Sequence, residues 1–180
     1  MHEKRFEGDI NRLRLPERVE RLEVNRVIDL CLGGGAIANV LDVGTGTGLF
    51  AEAFSGRGLA VSGVDVNPEM LIIARQFVPK GDFREGTAEA MPFLDASFEL
   101  VFMGLLLHES DKPLKVLKEA HRVSSRWVCI LEWPYWEQSF GPPLVHRLKP
   151  EDLNRLFRKA GFRKWNNKYL SNTVFYQLDV

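Results

Sequence analysis

Cysteine is nearly absent from this sequence. The two residues present among 180, Cys31 and Cys129, are too few for a four-ligand zinc site and too far apart along the chain for a disulfide framework. Both are expected to be small buried side chains in a protein of a reducing compartment, read here as the cytoplasm. Long apolar runs are missing too. No stretch reaches the roughly 18 residues needed to span a bilayer, and no signal-like apolar segment follows Met1-His2-Glu3-Lys4-Arg5. No membrane partner is therefore expected. Net charge is also lacking, because 24 Lys and Arg balance 24 Asp and Glu. Without a global field the chain has little to draw it onto nucleic acid, which is not expected as a partner. Repeats and low-complexity tracts do not occur. What is present, 45% hydrophobic and 27% charged residues, is the composition of an ordinary globular protein. The length suits one domain, with residues 1–35 as an N-terminal helical cap and 36–180 as the core.

Hydrophobic periodicity divides the chain into alternating elements. Val19, Leu22, Val27, Leu30 and Cys31 predict one amphipathic helix over residues 16–32, stopped by Gly33-Gly34-Gly35. Short apolar runs predict strands at residues 40–43, 60–64, 82–85, 98–104 and 127–131. Helices are expected between them: through Phe54, from Asn67-Pro68 to about Val78, and from an Asp111 cap through Pro113 to about Val123. A last helix over residues 150–160 closes at Gly161, followed by strands near 163–169 and 173–180 joined by a turn at Ser171-Asn172. The pattern implies an α/β fold: a three-layer, doubly wound, mostly parallel seven-stranded sheet whose last strand is antiparallel.

The chemistry concentrates where the first strand breaks into glycines. In Asp42-Val43-Gly44-Thr45-Gly46-Thr47-Gly48 the glycines let the backbone turn sharply and approach a ligand at the start of a helix. Asp65 lies 21 residues after Gly44 at the end of the second strand, where a carboxylate can accept both hydroxyls of a ribose. An adenosine-containing ligand fits that pair. The glycine spacing departs from the dinucleotide pattern because Leu49 stands where its third glycine would be. Asp42 would repel a pyrophosphate and tolerate a cation.

Asp42 to Gly48 resembles the D-x-G-x-G-x-G loop of the class I S-adenosylmethionine-dependent methyltransferases, in particular the small-molecule, type 11-like group. Val64-Asp65-Val66-Asn67-Pro68-Glu69-Met70 is similar to that family's second motif. The likeness implies that Asp65 holds the ribose while Val66 and Met70 flank the adenine. Gly86-Thr87-Ala88-Glu89 resembles the segment after strand three, with Thr87 in place of the usual aspartate beside the adenine amino group. The resemblance further implies that Met103, Gly104 and Leu105, ending strand four, line the cofactor. Together with Gly44, Thr45, Gly46, Gly48, Ala88 and Glu89, these complete the expected site for S-adenosylmethionine. The likeness covers roughly residues 37–132, and more loosely 148–162, where a helix ends in Ala160-Gly161-Phe162.

Transfer from a sulfonium needs an acceptor held in line, and for a hydroxyl or carbon acid it also needs a base. His108, Glu109, Glu132, Tyr135 and His146 are available. His108 after strand four and Glu132 ending strand five are the candidate catalytic residues, since ligands of such sheets bind at that edge. Trp133, Tyr135 and Trp136, with Phe140, are candidates for an apolar wall of the acceptor pocket, or alternatively for a lid packed on the N-terminal helix. Arg12 and Arg14 are candidates for the methionine carboxylate. Eight basic residues between Arg147 and Lys168 read as a solvated face. Met103-Gly104-Leu105-Leu106 lacks the Asn/Asp-Pro-Pro-Tyr pattern of nucleic-acid amino methylation and the aspartate of metal-assisted catechol methylation, so no metal is expected. The reading is a methyltransferase for a small-molecule acceptor; a catalytically silent S-adenosylmethionine sensor or partner subunit is the alternative.

Overall fold

The computed structural model describes residues 10–180, so the first nine residues of the expected N-terminal cap lie outside it. Seven strands, β1 (Asn39–Val43), β2 (Ala60–Asp65), β3 (Asp82–Glu85), β4 (Phe98–Gly104), β5 (Ser124–Glu132), β6 (Lys164–Tyr169) and β7 (Val174–Asp179), form one sheet in the order 3-2-1-4-5-7-6. The pairs from β3 across to β5 are parallel, and β7 runs antiparallel to both β5 and β6. Helices α1 (Pro16–Arg21), α2 (Val24–Leu32), α3 (Leu49–Ser55), α4 (Pro68–Phe77), α5 (Pro113–Val123) and α6 (Pro150–Ala160) supply the cover.

Strand side chains alternate between two hydrophobic layers, as a pleated sheet buried on both faces requires. Val40, Leu100, Phe102, Cys129 and Leu131 face one layer with α2, α3 and α4. Leu41, Val43, Val101, Met103, Val128 and Ile130 face the other, with α5 and α6. In α5 the buried positions Val116, Leu117, Ala120 and Val123 recur at helical spacing and set the face that packs. Cys31 of α2 and Cys129 of β5 are fully buried free thiols that interact across the first layer.

The element bounds depart from expectation in a few places, each for a tertiary reason. The single N-terminal helix is two, broken at Glu23, which takes a left-handed φ of 49°. The β6–β7 turn breaks it: Asn172 Nδ2 donates to Arg21 O, and Ser171 N–H donates to the Glu23 carboxylate. The cap of α5 is Lys112 and not Asp111. Ser110 governs that entry, because its Oγ accepts the Lys112 N–H and donates to Glu89 Oε1. β5 begins at Ser124, three residues earlier than its apolar run, because pairing with β4 reaches back to Phe98. Asn67 does cap α4, accepting the Glu69 N–H at 2.9 Å, and Gly161 does end α6 at φ 111°.

The chain leaves β1 toward β2 on one side, whereas β4 joins β1 on the other. This reversal puts a topological switch point between β1 and β4 at the strands' C-terminal edge.

Candidate active site

The loop after β1 sits at that switch point. Gly44 and Thr45 donate their N–H groups to Val64 O at 2.8 and 3.1 Å, which folds the loop back on the end of β2. Gly44, Gly46 and Gly48 have φ of 67°, 52° and 77°, where glycine alone is unstrained. Their surroundings differ. A Cβ on Gly44 would lie 2.8 Å from the Leu106 side chain, and one on Gly48 would lie 3.0 Å from Ala74 Cα. A Cβ on Gly46 would meet nothing within 4 Å. The outer two glycines thus allow the loop to pack, and the middle one leaves room for a ligand against its backbone.

Asp65, ending β2, ties this loop to the next. Its Oδ2 accepts the Gly46 N–H at 2.8 Å and its Oδ1 accepts the Asn67 N–H at 2.9 Å. Each oxygen keeps a second acceptor direction, so a preoriented carboxylate is offered to a vicinal diol. Val66 beside it is 41% exposed and Met70 is buried; the pair offers one surface and one supporting side chain to a flat base. Thr87 is exposed in a turn closed by Ala90 N–H to Thr87 O, with Ala88 and Glu89 half-buried behind it. Glu89 is engaged by Ser110. Of the residues expected at the end of β4, Met103 is fully buried in the α5–α6 layer. Gly104 is half-buried and packs against Phe50, and Leu105 takes a left-handed φ of 58° with its N–H on Leu131 O.

Asp42 lies beneath the glycine loop, 2% exposed, accepting a bond from Thr45 Oγ1 at 2.8 Å. Burial pushes its carboxyl up to about 7; the Thr45 bond opposes the shift and the Asp65 charge adds to it. Two carboxylates at one loop disfavour a pyrophosphate and suit a ligand bearing positive charge, which favours ionised Asp42. Binding of S-adenosylmethionine near pH 7 is therefore expected to release a fraction of a proton. Calorimetry in two buffers of different ionisation enthalpy reads it; equal apparent enthalpies, or an unchanged difference in Asp42→Asn, would contradict this assignment. For the ligand-free protein the sign follows from the raised pKa. The folded state holds this proton more tightly between the ordinary value of 3.8 and about 7, so the group's contribution to stability falls as pH rises through that window.

Across the switch point His108 and Glu132 meet. They are 5% and 2% exposed. Glu132 Oε2 lies 2.9 Å from His108 Nδ1, and Glu132 also accepts the backbone N–H groups of His108 and Trp133. Burial, the largest influence, lowers the imidazole pKa, but the charge and hydrogen bond of Glu132 together with Glu109 outweigh it, and the net shift is upward. A carboxylate on Nδ1 fixes that nitrogen as the N–H donor and leaves the lone pair on Nε2.

The aromatic candidates do not form one wall. Trp133 is buried against Phe140, with ring centroids 6.0 Å apart. Tyr135 lies under Lys149, whose Nζ is 5.4 Å from the ring. Trp136 turns outward and stacks on Tyr169 of β6. Phe140 in turn packs under Arg21 of α1 at 4.4 Å, so the loop rests on the N-terminal helix. Arg147, which sequence places in a solvated basic run, organises this loop. It is 5% exposed and donates to Pro134 O, Trp136 O, Phe140 O, Pro142 O and Gln138 Oε1. A cluster of carbonyls converging on one cation has no local sequence signal, and His146 beside it is only half-buried. Arg147→Met strands these acceptors and is expected to lower stability by about 2 kcal/mol, a drop of roughly 4–8 °C in melting temperature. A variant melting with the parent would refute the bracing role.

Arg14 does reach the glycine loop, though its guanidinium is already occupied. It donates to Thr47 O at 2.9 Å, pairs with Glu52 and covers the Phe77 ring. Arg12 is exposed.

A methyltransferase domain family matches residues 41–126. The demethylmenaquinone methyltransferase of Chlorobaculum parvum is 45% identical over 91 residues, covering 50% of this chain and 38% of that protein. The uncharacterized methyltransferase YcgJ of Bacillus subtilis is 31% identical over 157 residues, covering 77% of this chain and 57% of its own. The chain thus spans well under two thirds of the length of these curated relatives. Among solved structures, a SAM-dependent methyltransferase from Aquifex aeolicus superposes with a TM-score of 0.82 at 25% identity, over 94% of this chain and 95% of that one.

Proposed function

We infer that the chain is a class I S-adenosylmethionine-dependent methyltransferase that methylates a small-molecule acceptor at the switch point, with His108 as the base. S-adenosylmethionine supplies an electrophilic methyl group when bound. Asp65 holds the ribose hydroxyls, Val66 and Met70 flank the adenine, and the backbone of Gly44, Thr45, Gly46 and Gly48 lies along the amino-acid arm. Thr87, Ala88 and Glu89 border the base on its far side, and Gly104 and Leu105 border the transfer position. Met103 supports that position from the core. Trp133 and Tyr135 bound the acceptor side; Trp136 has its ring on Tyr169 and belongs to the loop's outer surface.

His108 Nε2 takes the acceptor's proton as the acceptor is alkylated, and Glu132 acts as a positioning residue that sets the tautomer and stabilises the imidazolium. The observation that carries this reading is a buried histidine–carboxylate pair on the same sheet edge as the glycine loop and Asp65. No helix among the described residues is long and apolar enough to cross a membrane, which agrees with an acceptor met in water or carried to the protein. The test is label transfer from methyl-tritiated S-adenosylmethionine into a small-molecule extract. Label in a non-protein product supports the reading. Tight cofactor binding with no label in any extract would leave the silent sensor instead.

A further inference from the structure

Three arginines, Arg14, Arg18 and Arg21, follow one another along the N-terminal segment, and the outer two reach loops at the edge of the sheet. Arg14 reaches Thr47, in the loop after β1. Arg21 covers Phe140, in the loop after β5. In the sheet, β4 lies between β1 and β5. Arg18 lies between them in α1, where the charges acting on it are those of Arg21 and of Glu109, which follows β4. Arg14 and Arg21 are satisfied by Glu52, Thr47 O and two aromatic rings. Arg18 is not: its Nε is buried and has no hydrogen-bond partner, and no ion pair engages its guanidinium among the described residues.

A buried N–H left without an acceptor costs free energy, and in native structures such an atom calls for a reason. Glu109 supplies charge at a distance without supplying the missing hydrogen bond. A guanidinium presents paired N–H groups in a fixed fork that matches a carboxylate or a phosphate, and the singly charged carboxylate is the less opposed by the negative charge of nearby Glu109. Arg14, beside the glycine loop along which the cofactor's amino-acid arm would run, is already engaged by Thr47 O, Glu52 and the Phe77 ring. Arg18 follows it along the segment, within electrostatic reach of Glu109, which adjoins His108 in the turn after β4. We propose that Arg18 is a specificity-determining residue that binds a carboxylate on the methyl acceptor, so that the substrate class is small organic acids. This inference rests on the methyl-transfer site described above.

The test uses the full chain saturated with S-adenosylhomocysteine, titrated with benzoate and with its neutral isostere benzamide. The Arg18 Nε–H resonance, assigned by its loss in Arg18→Lys, is followed by nuclear magnetic resonance. The expected result is a downfield shift with benzoate, none with benzamide, and about 10- to 100-fold weaker benzoate binding in Arg18→Met. Arg18→Lys retains charge without the fork and is expected to fall between. Melting temperatures of both variants identify any that fail to fold. Equal response to benzoate and benzamide, or unaltered benzoate binding in both variants, overturns the proposal. So does a loss of S-adenosylhomocysteine affinity in Arg18→Met with unaltered affinity for 5′-methylthioadenosine, which lacks the amino-acid carboxylate: Arg18 would then serve the cofactor. Absence of methyl transfer with these binding results intact would count against the catalytic reading alone.

Discussion

Glu132→Gln is expected to slow methyl transfer by about 100- to 10,000-fold while S-adenosylhomocysteine binds as before. The range is that of general-base catalysis, and the loss acts through the charge beside His108. The glutamine amide can still bond His108 Nδ1, but it provides no negative charge to hold an imidazolium in a site where His108 is 5% exposed. The pH profile separates this role from a structural one. In the parent protein the ascending, acid-side limb should titrate above the ordinary histidine value of 6.5, because the Glu132 charge and hydrogen bond, with Glu109, overcome the downward push of burial. In Glu132→Gln burial prevails and the limb should move downward. Rates rise with pH through this limb, since the neutral imidazole is the base. Stability runs the other way: the ion pair's contribution is complete below 6.5 and is lost as pH rises through the elevated folded-state value. His108→Gln should match the loss of rate and abolish the limb. A Glu132→Gln enzyme with parental turnover and an unmoved profile would end the assignment of this pair.

The second large effect belongs to Asp65. Asp65→Ala is expected to weaken S-adenosylhomocysteine binding about 100-fold or more. Two charge-assisted hydrogen bonds to a diol are lost, at roughly 1.5–3 kcal/mol each. The Gly46 and Asn67 N–H groups lose their shared acceptor as well, so the loop and the start of α4 are no longer tied together. Asp65→Asn keeps one acceptor oxygen and should fall between. Because the contact is to the sugar, 5′-methylthioadenosine should suffer the same loss, which distinguishes Asp65 from any residue serving the amino-acid arm. Calorimetric titration of both ligands would expose the idea as wrong if only the amino-acid ligand weakened.

The parts of this molecule legible in its sequence are those whose cause is local. Strand β4 and helix α6 stand within their expected bounds because a short apolar run and a closing Gly161 are short-range signals. The glycine loop and Asp65 were also legible, since the turn geometry demands glycines and the carboxylate follows one βαβ step later. What escaped was decided by distant chain. The break at Glu23 depends on the turn at Ser171-Asn172. The divergence of Trp133, Tyr135 and Trp136 depends on which partner each ring finds, namely Phe140, Lys149 and Tyr169. Arg147 looked like one cation among eight because its acceptors are carbonyls, which every residue carries. Arg18 has no sequence signal for a related reason: its distinction is a bond it does not make.

The bracing of residues 133–147 bears on how such a protein can acquire new substrates. Four of the five acceptors of Arg147 are main-chain oxygens, and an oxygen of that kind survives exchange of the side chain attached to its residue. The path of the segment is thus uncoupled from most of its lettering. Mutation can rewrite the surface facing the acceptor while a single guanidinium preserves the frame, so recognition can drift over generations without each step having to rebuild the architecture beneath it.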